Sequence, residues 1–237
     1  MRNLKQARPG SLLRRLPGFF LSAGGPRYSV SGMRVEVAFE LDEASEKLEI
    51  PWESSNPDIR YFDLREDTKL IERLEVARQH PPLRNFLTAM NSADSLFATA
   101  RCKTWLTQQD PGSGAASGAA TAPGTSMEPC QFASQVDLVF TPEQFNFNRS
   151  QYAELTGRLV ELLTRESAPD ALRVALRARA CHFRAPSRWG FCLAVFLYAR
   201  GATPEQAEVR WGLGLVRIQQ ALLFTSRILR QKIARTS

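Results

Sequence analysis

Histidine is nearly missing from these 237 residues: only His80 and His182 occur. The four cysteines, Cys102, Cys130, Cys181 and Cys192, are scattered, and none sits in a CxxC pair. A structural zinc site needs four converging ligands, usually in close pairs, so neither a metal nor another cofactor is expected. Buried reduced thiols are the default reading, and with them a cytoplasmic location. No apolar run approaches the roughly 18 residues of a spanning helix, which argues against an integral membrane protein. Nucleophile elbows, phosphate loops, dinucleotide glycines and metal-ligand helices are missing as well. No catalytic residue is assigned, and enzymatic activity is left open.

Acidic residues are absent from the first 32 positions, which carry Arg2, Lys5, Arg8, Arg14, Arg15 and Arg27. That composition reads as a disordered basic extension, with Met33 as a true or alternative start. Two targeting alternatives share it: a loosely twin-arginine-like signal at Arg14-Arg15, and an Arg-rich transit peptide. Lysine is scarce, 5 against 26 arginines, an excess that a GC-rich coding sequence explains without invoking function. The formal charge of +7 conceals opposite halves: net −8 over 33–148 and net +9 over 149–237. The basic balance alone is therefore no argument for nucleic acid.

A single α+β domain is expected over 33–237, interrupted at 110–128, where small, nearly uncharged residues read as a flexible loop. Residues 34–41 and 47–52 alternate like strands and read as a hairpin around Asp42-Glu43-Ala44-Ser45. Helical spacing over 66–79 stops at His80-Pro81-Pro82, where His80 reads as a helix-end cation, and a short helix follows at 83–90. Strands are expected at 96–106, 131–140, 172–184 and 189–200, with helices at 149–166 and from Thr203 to about 232. Thr99–Trp105 resembles Arg177–Phe183 at an offset of 78, whereas Phe132–Leu138 matches Phe191–Leu197 at 59. A duplicated β-β-α unit with the loop inserted in its first copy accounts for both. The expected core is thus a four-stranded antiparallel sheet with helices on one face, plus the N-terminal hairpin and helix.

Alternation sorts the strand residues into faces. Val174, Leu176, Ala178, Leu193, Val195 and Leu197 face the core. The opposite face carries Arg173, Arg177, Arg179, Phe196 and Tyr198, joined from the first copy by Phe97, Arg101, Lys103 and Trp105, with Gln135 and Asp137 opposite. A two-residue turn at Pro186-Ser187 sets Cys181 opposite Cys192 and Arg177 opposite Phe196; the cysteines read as two free thiols, the alternative being a strained disulfide. His182 falls on the apolar parity and reads as a packed core histidine. The acids Glu36, Glu40, Asp42, Glu43, Glu46, Glu49 and Glu53 read as a solvated hairpin face.

Three functions fit the Arg/aromatic face. The first is a non-enzymatic interaction or structural protein, a homodimer using this face or the opposite charge of its halves. The second is a nucleic-acid-binding module that stacks bases and neutralises phosphates. The third is a small-ligand binder or enzyme with a pocket between sheet and helices near His182 and Trp211.

Overall fold

In the computed structural model, residues 27–28, 33–40, 48–54, 60–108, 130–165 and 171–236 are described. The expected loop at 110–128 lies outside them, and of the basic N-terminal stretch only Arg27–Tyr28 lies inside. The strands are β1 (Arg27–Tyr28), β2 (Arg34–Glu40), β3 (Leu48–Ile50), β4 (Phe97–Gln108), β5 (Cys130–Phe140), β6 (Leu172–Phe183) and β7 (Arg188–Gly201). They form one open mixed sheet in the order β1-β2-β6-β7-β5-β4, with β3 also paired to β6. Within it, β4, β5, β7 and β6 are successive antiparallel neighbours with β4 at one edge, so the expected four-stranded sheet is part of a larger mixed one.

The sheet extends beyond those four because the N-terminal hairpin does not form. β2 runs parallel to β6 along Arg173–Arg179, and β3 continues in the same direction along Cys181–Phe183. An isolated two-stranded hairpin has too little to bury. Laid end to end on β6, the two segments bury apolar side chains on both sheet faces. Val35 and Val37 join the helix-side core, while Leu48 and Ile50 join a second, smaller core with Cys181, Phe183, Cys192 and Ala100. That second core covers one end of the face expected to be uncovered.

The helices are α1 (Glu75–Gln79), α2 (Pro81–Met90), α3 (Arg149–Arg165) and α4 (Pro204–Thr236). The single helix expected at 66–79 is a 3-10 turn over Thr68–Arg73 followed by α1, because Leu74 between them is extended (φ −78°, ψ 114°). His80 is also extended (φ −124°, ψ 90°), as the residue before a proline tends to be, and separates α1 from α2. Leu83 and Phe86 of α2, Leu155 and Leu159 of α3, and Trp211, Ile218 and Leu222 of α4 bury against Val174, Leu176, Leu193, Val195 and Leu197. α4 lies close to the sheet at Gly214, where a β-carbon would meet the Leu197 methyls at 3.0 Å. No helix among the described residues is long and apolar enough to cross a membrane.

The element order does run strand–strand–helix twice, but the pairing does not reproduce the expected residue offsets. Gln135 and Ala194, related by 59, face Lys103 and Arg177 respectively, which are 74 apart rather than 78. Two further corrections follow from backbone irregularities. The β6–β7 turn takes four residues, Arg184–Ser187, with Ser187 at φ 59°. Arg179 therefore pairs with Cys192, Cys181 with Gly190, and Arg177 with Ala194. A shift of two preserves the faces while changing every pair. In β4 the register slips between Thr99 and Arg101, leaving Ala100 as an extra residue. A one-residue bulge swaps faces, so Phe97 leaves the Arg/aromatic face and packs at 5.1 Å against Phe140 in the helix-side core.

Candidate interaction surface

Register places the remaining expected residues in rows across the face opposite the helices. One row reads Trp105, Ala133, Tyr198, Arg173, Arg34; the next reads Lys103, Gln135, Phe196, Ala175, Glu36. A third reads Arg101, Asp137, Ala194, Arg177, Ala38, and Arg179 stands between Cys192 and Glu40. Alanines separate the bulky positions, which gives long side chains room to lie flat. The Arg173 guanidinium sits 4.4 Å from the Tyr198 ring centroid, and that of Arg177 sits 4.9 Å from Phe196. Phe196 and Tyr198 are parallel, with centroids 6.4 Å apart, and Trp105 meets Tyr198 edge-on at 6.3 Å. The face is therefore a continuous layer of rings and guanidiniums, as its composition predicts.

Arg101, Arg177 and Arg179 on this layer are matched by carboxylates of the chain, whereas Arg173 and Lys103 lie over the Tyr198 and Trp105 rings. Glu40 reaches both Arg177 (2.7 Å) and Arg179 (3.1 Å). The fully buried Asp137 accepts from Arg101 Nε and Gln135 Nε2, each at 2.8 Å. Arg184 is held by Glu49 and Glu53, and Arg34 by Glu36. Of the acids read as a solvated hairpin face, Glu40, Glu49 and Glu53 pair with arginines of β6 and its turn and Glu36 with Arg34 of β2; Asp42, Glu43 and Glu46 lie outside the described residues. Parallel pairing of β2 and β3 with β6 brings the acidic first half onto the basic second half inside one molecule.

Neither histidine belongs to a shared pocket. His182 is half-buried beside Trp189, with ring centroids 5.3 Å apart, and its Nδ1 lies 4.0 Å from Glu49. Trp211 is fully buried on the helix side, where its indole donates to Ser134 Oγ at 2.8 Å and its ring packs on Phe132 and His80. His80 Nδ1 lies 2.7 Å from Glu208, tying the α1–α2 junction to α4. Among the described residues no three His, Cys, Asp or Glu side chains are grouped to hold a metal ion.

The cysteines are free. The Cys192 thiol is held well above its ordinary range, first by its hydrogen bond with Cys181 and then by burial. Burial, with Asp137 adding to it, pushes the half-buried Cys102 from 9.0 to about 11. A thiol that keeps its proton more tightly when folded contributes stability that is complete below pH 9 and declines as pH rises towards 11. Two pK units correspond to at most about 2.7 kcal/mol, reduced by the solvent contact that Cys102 keeps. Urea unfolding at pH 8, 9, 10 and 11 is expected to give a smaller alkaline loss for Cys102→Ala than for the parent chain (roughly those pH values bracket the window). Equal losses would remove Cys102 as a cause.

Two features were not drawn from the sequence. The outer side of α4 exposes Val209 (66%), Leu213 (59%), Val216 (46%) and Phe224 (48%), which recur every three to eight residues away from the buried stripe. Beside them, Leu162 of α3 with Leu223 and Phe224 lines a depression of about 330 Å³. A second apolar stripe on an already amphipathic helix was the available signal. The other feature is a groove of about 670 Å³ between the edge of β4 and Trp52 with residues 60–79. Comparison with family models, with curated proteins and with solved structures finds no match to this chain.

Proposed function

We propose that the protein is a non-enzymatic interaction protein that assembles as a homodimer through the outer side of α4. The observation carrying this reading is the stripe Val209, Leu213, Val216 and Phe224, apolar and exposed on a helix whose opposite side is already buried. From Val209 to Phe224 the stripe covers about 22 Å, several turns of contact for a second helix. A two-fold interface brings the same patch from each copy together, which requires a self-complementary surface. Antiparallel α4 helices meet this requirement. Val209 of each copy falls beside Phe224 of the other, and Glu205 in the first turn comes within one turn of Arg227.

The paired state of Arg101, Arg177 and Arg179 favours a protein over a nucleic acid as partner. Guanidiniums already answered by Asp137 and Glu40 displace few counterions from a phosphate backbone. Sedimentation equilibrium over a range of concentrations is expected to give a dimer, and Leu213→Glu a monomer with unchanged circular dichroism. A parent chain that is monomeric throughout overturns the reading, and so does a Leu213→Glu variant that stays dimeric.

A further inference from the structure

We infer that the groove beside β4 is a docking site for an extended acidic peptide of a partner protein, taken up as an added strand. β4 is the last strand of its sheet, and among the described residues no strand pairs with its outer side. Unpaired main-chain groups on a sheet edge are a template for another strand. The Trp52 indole already donates to the Ala100 carbonyl there at 2.8 Å, so a donor standing in the groove can reach the edge backbone. Arg65, next to the lining residue Leu64, donates to the Ser92 and Ser95 carbonyls at 3.0 and 3.3 Å. Of the edge lining the groove, the Thr99 amide donates to Asn91 Oδ1 at 3.1 Å and the Ala100 carbonyl is held by Trp52, which leaves Arg101–Thr104, about 10 Å at 3.4 Å per residue, for an extended chain.

Charge selects the occupant. The lining includes five cationic side chains, Arg60, Arg73, Arg78, Arg101 and Lys103, and one acid, Glu75. Arg101 is matched by Asp137, and Glu75 receives the Gln79 amide, whereas Arg60, Arg73, Arg78 and Lys103 are exposed to solvent. Arg73 also stacks over Phe62 at 5.3 Å, which orients its guanidinium without neutralising it. Arg101 and Lys103 rise from the same face of β4. An added strand presents every second side chain to that face, so acids at alternate positions fall beside them. The groove differs in this from the sheet face, where Arg101, Arg177 and Arg179 have carboxylates of their own.

The test is fluorescence anisotropy of the full chain with a labelled peptide of alternating Glu and Thr. Its Lys–Thr counterpart, a version methylated on alternate backbone nitrogens, and a labelled oligothymidylate serve as comparison probes. The Glu–Thr peptide is expected to bind at least about tenfold more tightly than each of the three. The double variant Arg60→Glu/Lys103→Glu, at two exposed positions, is expected to lose about tenfold or more with an unchanged melting temperature, and Arg73→Glu to weaken binding in the same direction. Equal binding of the methylated peptide overturns strand addition. Tighter binding of the oligothymidylate, or affinity unmoved by either variant, overturns the site.

Discussion

Trp211→Ala is expected to lower the unfolding free energy by about 3–5 kcal/mol, the range for deleting a large buried ring. The side chain is fully buried, and it joins three parts of the structure that are distant in sequence. Its ring packs 4.8 Å from Phe132 of β5 and 5.7 Å from His80 at the α1–α2 junction. Its indole N–H satisfies Ser134, which is 1% exposed. Alanine leaves a cavity and a hydroxyl with no partner, and the second loss adds to the first. Against a total stability of about 5–15 kcal/mol this is about a fifth or more of what holds the chain folded. For a domain of this size it corresponds to a fall in melting temperature of about 6–20 °C. Trp211→Phe keeps most of the packing and loses the hydrogen bond, so about 1–2 kcal/mol is expected. A Trp211→Ala loss below about 1 kcal/mol in urea unfolding would mean that α4 is not anchored at this point.

The same residue marks the reach of sequence reasoning. The helix expected from Thr203 is α4, and Trp211 lies on its buried stripe with Ala207, Leu215, Ile218 and Leu222. β5, β6 and β7 also lie close to where alternation puts them, because each strand buries one parity against the helices. The two faces of the sheet were legible for the same reason. Three kinds of information were not. Alternation over Arg34–Glu40 identifies a strand but no partner, and the distant β6 competes with the near segment 47–52 for the pairing. The bulge at Ala100 leaves no mark on composition, yet it sends Phe97 to the other side of the sheet. The β6–β7 turn length decides which residues face one another, and the faces were legible only because the shift was an even number of residues.

The charges on the Arg/aromatic face were legible as side chains and not as pairs. Sequence shows arginines on β6 and acids near β2; only the parallel register sets Glu40 between Arg177 and Arg179. Glu40, Glu49 and Glu53 of the acidic half thus pair with Arg177, Arg179 and Arg184 of the basic half. This is why the two surfaces proposed for partners lie elsewhere, on the outer side of α4 and at the edge of β4. Both remain unmatched, one in apolar area and the other in charge.

Asp137→Ala is expected to cost about 3 kcal/mol, the lower end of the range for breaking a buried ion pair. The carboxylate is 0% exposed and holds Arg101 Nε and Gln135 Nε2 at 2.8 Å each, so its removal leaves two donors facing each other. Gln135 is 2% exposed and has nowhere to turn, whereas the Arg101 side chain, 21% exposed, can swing partly towards water. That escape places the cost at the lower end. Arg101→Met acts on the opposite partner and leaves a carboxylate in the sheet with one donor instead of two. The loss there is expected to reach about 3–5 kcal/mol, because an uncompensated buried charge is worse than an unmatched donor. If the pair acts as a unit, the double variant Asp137→Leu/Arg101→Met recovers much of either single loss, since apolar side chains of similar volume remove both desolvation penalties together. Urea unfolding of the parent, Asp137→Leu, Arg101→Met and the double variant closes the cycle and measures the coupling directly. A coupling below about 0.5 kcal/mol would show that the two side chains are adjacent without depending on one another, and that packing rather than charge fixes the centre of the sheet.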